Sequence, residues 1–128
     1  MKRAGLYHPA ISHLIASSGH SDWFTVCDVG FPVPIGPERI DLALTDDIPT
    51  VLDVLAAILA EFHVDRVLTA NEATIAAPER IAALLAILGD IPLVQIDHLE
   101  IKRLSQTGRA TVKTADTTPY ANIVIVSG

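Results

Sequence analysis

Five polar residues of this chain stand where regular segments begin or end, and their types suit proton transfer and polyol binding. His20 follows Gly19 at the exit of an expected helix, and Asp28 closes an expected strand just before a Pro/Gly-rich loop. His98 ends another strand and is placed to open the next helix, while Tyr120 and Asn122 immediately precede the last strand. An imidazole moves protons near neutral pH, and a neighbouring carboxylate can orient it and hold its tautomer. A phenol and a primary amide add the kind of groups that hydrogen-bond a polyol. Each residue also has a plainer use. His20 alone can complement a helix dipole, Asp28 can cap a turn, and His98 can be an ordinary surface residue. Tyr120 can pack, Asn122 can satisfy loop backbone, and Cys27 can serve as a small buried hydrophobe. Nothing in the sequence around His8, His13 or His63 singles them out. Residue types alone therefore suggest a polar pocket without naming its occupant.

The elements that must position these groups follow from punctuation and periodicity. Pro9 opens a helix with Ile11, Leu14 and Ile15 on one face, and Ser17, Ser18 and Gly19 close it; proline suits a first helical turn and glycine a stop. Trp23 to Asp28 is rich in aromatic and β-branched residues and reads as a buried strand. The prolines and glycines from Gly30 to Pro37 make a rigid loop, and Arg39 to Leu44 alternates as a second strand. Further strands are expected at Val64 to Ala70, Pro92 to Asp97, Ala110 to Thr114 and Ile123 to Val126. Helices are expected to open at Pro49, at Pro78 with an end at Gly89, and to run from His98 to Gln106. This alternation predicts a single three-layer α/β/α domain, residues 1–128, with a mixed, largely parallel sheet. The all-apolar run Ile123-Val124-Ile125-Val126 is expected to be central, so truncation there would damage the core.

Composition narrows the function. The chain has 128 residues, 50% of them hydrophobic, enough for one core without staples. Fifteen acidic residues against nine Lys/Arg give a net charge of −6, which disfavours binding to a phosphate backbone. One cysteine makes no internal disulfide and is too few for a structural zinc site. No secretory leader and no apolar run long enough to span a bilayer is evident, so a cytoplasmic protein without nucleic-acid or membrane partners is expected. The phosphate-binding glycine patterns, His-Glu-x-x-His and Gly-x-Ser-x-Gly do not occur, which counts against a nucleotide-binding protein.

Three ordered blocks carry a resemblance. Gly19-His20-Ser21-Asp22 with Val26 to Pro34 forms the first, continuing through Arg39 to Thr45 and Pro49. His98, Glu100 and Lys102 form the second, and Pro119-Tyr120-Ala121-Asn122-Ile123 the third. Together they resemble the D-ribose pyranase and L-fucose mutarotase family, more closely its ribose branch. The resemblance implies interconversion of the cyclic forms of a free monosaccharide, with no cofactor and no metal. It implies His20 as the catalytic acid/base, and Asp28, His98 and the segment Tyr120-Ala121-Asn122 as the lining of the sugar site. It further implies a homo-oligomer, commonly two stacked pentameric rings forming a decamer, with the sugar site near a subunit boundary. Departures from the family pattern are Val29, Ala115-Asp116 in place of a Gly-Glu pair, and Asn71-Glu72 in place of Glu-Glu.

Two readings follow. In one, His20 shuttles the proton and Asp28 orients it or binds a hydroxyl; in the other, the same fold is a non-catalytic sugar carrier or regulatory module of a transport system. Retention of His20 with Asp28 favours the enzyme, because binding alone needs no titrating group. The Ala/Leu-rich runs Leu55 to Ala60 and Ile81 to Leu88 are apolar nearly all round, which suits helices covered by a neighbouring subunit as well as by the sheet.

Overall fold

A computed structural model describes residues 1–128. In chain order the elements are α1 (Pro9–Ser17), β1 (Trp23–Cys27), β2 (Glu38–Asp41), α2 (Val51–Leu59), β3 (Val64–Ala70), α3 (Asn71–Ala76), α4 (Pro78–Leu88), β4 (Leu93–Ile96), α5 (His98–Ser105), β5 (Ala110–Lys113) and β6 (Ile123–Ser127). The six strands make one sheet in the order β2-β5-β1-β6-β3-β4. The pairs β2–β5, β5–β1 and β3–β4 are parallel, whereas β6 runs antiparallel to both its neighbours. The sheet is thus mixed, and its one reversed strand is the all-apolar run, central and buried along its length.

Alternation along the strands sorts the core into two layers. Phe24, Val26, Ile40, Val67, Val112, Ile123 and Ile125 meet Ile11 and Leu14 of α1, Val51, Val54, Leu55 and Ile58 of α2, and Leu84 and Leu88 of α4. On the opposite face Cys27, Leu68, Ala70, Val124 and Val126 meet Phe31, Ala73 of α3 and Ile101 of α5. Successive strand side chains point to opposite faces, so Ile123/Ile125 and Val124/Val126 build separate layers. The result is the expected α/β/α arrangement.

Two expectations shift. Pro49 does not open α2: Thr50 is the N-cap, its hydroxyl accepts the Asp53 N–H, and the Asp53 carboxylate accepts the Thr50 N–H. That reciprocal box satisfies two donors that a helix start otherwise leaves unpaired. The second strand is shorter than its alternating pattern, ending at Asp41 because its partner β5 ends at Lys113. In the chain alone the two apolar helices bury one face each. Leu85 of α4 is half exposed, as are Ile48 and Tyr7 elsewhere, and Ile35, Leu44, Ile75 and Leu99 project almost freely. No helix is long and apolar enough to cross a membrane.

Candidate active site

The reversed strand decides where the polar residues meet. Because β6 is antiparallel to β1 and β3, its first residues lie beside the carboxyl ends of those strands. Asp28 directly follows β1, Asn122 directly precedes β6, and His98 opens α5 two residues past β4. The crevice beyond the carboxyl ends of strands, where the strand order reverses, is the usual ligand site of open α/β sheets. Here it holds a cavity of about 280 Å³ lined by Asp28, Gly30, Phe31, Pro32, His98, Lys102, Pro119, Tyr120 and Asn122. A second, more apolar cavity lies between α1 and α2 around Leu6, Ile11, Pro49 and Val54 and lacks such a set of convergent polar groups.

Asn122 ties this site together. Its Oδ1 accepts the backbone N–H of Asp28 at 2.8 Å, and its Nδ2 lies 3.1 Å from Nε2 of His98. The His98 ring is packed edge-on against Tyr120, with centroids 5.1 Å apart, and against Phe31 at 6.2 Å. Tyr120 adopts a left-handed backbone conformation, φ 55°, which is rare for a bulky residue and is held only where surrounding contacts fix it. The start of α5 is fixed from α3: the Glu72 carboxylate accepts the His98 N–H at 3.1 Å, and Asn71 donates to Asp97 at 2.9 Å. Asn71-Glu72, one of the departures from the family pattern, thus clamps the helix that carries His98. A carboxylate at a helix N-terminus is also favourably placed for the helix dipole.

Local electrostatics set the two titrating groups apart from their free forms. Burial pushes the Asp28 carboxyl up, against the N–H of Gly30, the Asn122 amide, the N–H of Phe31 and the charge of His98. Burial pushes the His98 imidazole down, and the Lys102 ammonium adds to that, against the carboxylates of Glu72 and Asp28. Cys27, beneath Asp28, is pushed up to about 12 by burial and by the Asp28 charge, so it stays a thiol.

The segment leading to Tyr120 hangs on Asp116. Its wholly buried carboxylate accepts from Arg80 of α4 at 2.6 and 3.2 Å, from the Val51 N–H at 2.9 Å and from the Thr118 N–H at 2.9 Å. Arg80 also donates to the Thr118 hydroxyl, and the Asp116 carbonyl accepts the N–H of Val29. Burial alone would push the Asp116 carboxyl up, but the Arg80 guanidinium and the two backbone donors outweigh it and hold the carboxyl below its usual range. Asp116, another departure, therefore anchors both the Asp28 loop and the Tyr120 segment.

The structure brings Asp28, His98, Tyr120 and Asn122 to one cavity, with Ala121 buried between the last two. His20 is not among them. The N–H of Ser21 donates to the Ser127 carbonyl, at the end of β6 opposite Asn122. Five strand residues of about 3.3 Å each put roughly 17 Å between those ends. Asp28 and the His20 of its own chain therefore stand at opposite ends of β6. Lys102, which belongs to the second resemblance block, also lines the cavity. It lies one turn beyond His98 on α5, and residues four apart on a helix share a face, so its spacing already placed it at the same cavity. No group of three or more His, Cys, Asp or Glu residues is arranged to hold a metal ion.

The family model described as the RbsD / FucU transport protein family matches residues 1–128, and the chain belongs to that family. Among its relatives, the D-ribose pyranase of Coprothermobacter proteolyticus is 45% identical over 128 residues, covering 100% of this chain and 98% of that protein. The D-ribose pyranase of Paracidovorax citrulli is 45% identical over 131 residues with the same coverage. Bacillus subtilis RbsD, solved in complex with D-ribose, superposes with a TM-score of 0.95 at 30% identity, covering 100% of this chain and 98% of that one. The fucose mutarotase of Streptococcus pneumoniae, solved with L-fucose, shares the fold at a TM-score of 0.79 and 18% identity, over 94% of this chain and 92% of that one.

Proposed function

We propose that this chain is a cofactor-independent sugar mutarotase of the D-ribose pyranase type, an isomerase acting on a free monosaccharide, D-ribose, in the cytoplasm. The observation that carries the reading is the convergence of a carboxylate, an imidazole, an ammonium, a phenol and an amide on one small cavity. Its volume lies near the lower edge of small-molecule pockets, about 300 Å³, and its polar lining suits a polyol.

The chemistry needs little more. In the pyranose, the anomeric hydroxyl loses its proton, C1 and that oxygen form a carbonyl, and the bond from C1 to the ring oxygen breaks. The ring oxygen takes up a proton. Closure through a different hydroxyl, in the reverse sense, gives the furanose, and closure on the other face of the carbonyl gives the other anomer. One acid and one base, restored after each turnover, complete the cycle. Positioned acid–base catalysis supplies about 10²–10⁴-fold, a suitable scale for a reaction that already runs unaided in water. In this reading His20 is the acid/base, and Asp28, His98, Tyr120, Ala121 and Asn122 form the sugar site with Lys102.

The separation of His20 from its own cavity supports a site shared between subunits, with His20 supplied by a neighbour. The nearly free Ile35, Leu44, Ile75 and Leu99 supply apolar surface for such contacts. The assembly proposed is a homo-oligomer of stacked pentameric rings.

The test is saturation-transfer NMR on the anomeric protons of ribose with catalytic amounts of protein. Accelerated pyranose–furanose exchange that is lost in His20→Ala supports the reading. Exchange of ribose and of fucose at the uncatalysed rate would replace it with the non-catalytic sugar-binding module. A monomer by light scattering would overturn the shared site.

A further inference from the structure

Asn122 has only one amide orientation open to it. A backbone N–H can only donate, so the atom 2.8 Å from the N–H of Asp28 must be the carbonyl oxygen. The other end of the amide is then the NH₂ group, and it faces Nε2 of His98 at 3.1 Å. An NH₂ group can only donate as well. The Nε2 it meets must offer a lone pair, so the proton of a neutral ring resides on Nδ1. We propose that Asn122 is a positioning residue that locks His98 in the neutral, Nδ1-protonated tautomer, making His98 a fixed donor to a sugar oxygen and not a proton carrier.

The groups around the ring act in both directions, with burial and Lys102 outweighing the two carboxylates. On α5 itself, Lys102 places a positive charge near the ring and opposes a second proton. From α3, the Glu72 carboxylate favours protonation, but it is engaged by the His98 backbone N–H. From the loop after β1, Asp28 also favours it, and its backbone N–H holds the very amide that blocks Nε2. The neutral aromatic edges of Phe31 and Tyr120 flank the ring and fix its plane. Nδ1 has no hydrogen-bond partner within the chain, so its N–H is free on a residue that lines the cavity. Protonating His98 would set two donors against each other across 3.1 Å and break the Asn122 bridge. The lock itself needs no enzymatic activity. Its consequence, that His20 handles the protons of ring opening, rests on the pyranase reading.

The experiment is magic-angle-spinning ¹⁵N NMR of the full-length protein labelled in its histidine rings, without sugar, with the His98 signals identified by their loss in His98→Gln. A protonated Nδ1 and an unprotonated Nε2, unchanged on acidification to the ordinary imidazole value of about 6.5, are expected. In Asn122→Asp the group facing Nε2 becomes an acceptor, so the proton is expected to move to Nε2 and the ring to titrate at higher pH. A wild-type His98 protonated on Nε2, or cationic at neutral pH, overturns the proposal even if Asn122→Asp fails to fold. Because this is read without substrate, it is separate from failure of the pyranase reading, which the ribose exchange measurement reports.

Discussion

Replacing Arg80 by alanine removes the only cation bonded to a carboxylate that has no exposed surface. Asp116 would keep its bonds from the N–H groups of Val51 and Thr118, but its charge would be unopposed. Breaking a buried ion pair from one side costs about 3–5 kcal/mol, and the two surviving bonds place the cost toward the low end. For a chain of this length about 1 kcal/mol lowers the melting midpoint by roughly 3–5 °C, so a fall of about 10–15 °C is expected near pH 7. The pH dependence is the sharper readout. In the wild type the Asp116 carboxyl is held below its unfolded value, so its ionisation stabilises the fold above that value, and the contribution is lost as pH falls through the folded pKa. In Arg80→Ala, burial is left to push the carboxyl above its unfolded value, and ionisation then opposes folding. Acidification neutralises the carboxyl first in the variant and then in the wild type, so the gap between the two proteins should narrow as pH falls towards about 4, near the free aspartate value, and close only below the lower wild-type pKa. Thermal melts at matched protein concentration across that range supply the measurement. A midpoint within about 3 °C of wild type at neutral pH, or a gap as wide under acid as at neutral pH, would refute the argument.

Asp28→Asn should abolish or sharply reduce sugar exchange yet raise the melting midpoint at neutral pH. Its carboxyl is pushed up by burial, so ionisation opposes folding; the gain should shrink as pH falls through the folded pKa and vanish below the unfolded one; no gain by calorimetry would contradict this. Lys102→Met should weaken apparent ribose affinity by roughly 10–150-fold, the loss of one hydrogen bond to a charged group, with a smaller change in turnover; steady-state exchange at varied ribose separates the two. Cys27, fully buried and held as a thiol up to about pH 12, should resist an aromatic disulfide reagent in the native protein and react promptly in denaturant; rapid native labelling would contradict its placement under Asp28.

Much of the fold was legible because its punctuation is local. Pro9 and Pro78 open helices, Gly89 closes one, and the apolar β6 is central, since each depends only on residues nearby. The short helix α3 has little local signature, because it ends only two residues before Pro78, which reads as a beginning, and because it buries one residue, Ala73. The site was legible in its residue types but not in its grouping. Asp28, His98, Tyr120 and Asn122 converge through the reversal of β6, a long-range pairing that no local pattern encodes. The same reversal carries the end of β6, and with it His20, to the other rim of the sheet. The Asp116 anchor was visible only as a departure from a motif; its purpose required the position of Arg80.

The placement of His20 at the rim opposite Asn122 has a genetic consequence. Where a histidine serves a neighbour's pocket, a chain lacking the histidine still owns an intact pocket, and a chain with a ruined pocket still owns an intact histidine. On the proposed ring assembly, two such defective alleles expressed together should restore activity that neither yields alone, because mixed rings would contain junctions built from the sound half of each. With the proposed shared site, the heritable unit of catalysis would be the junction between two chains.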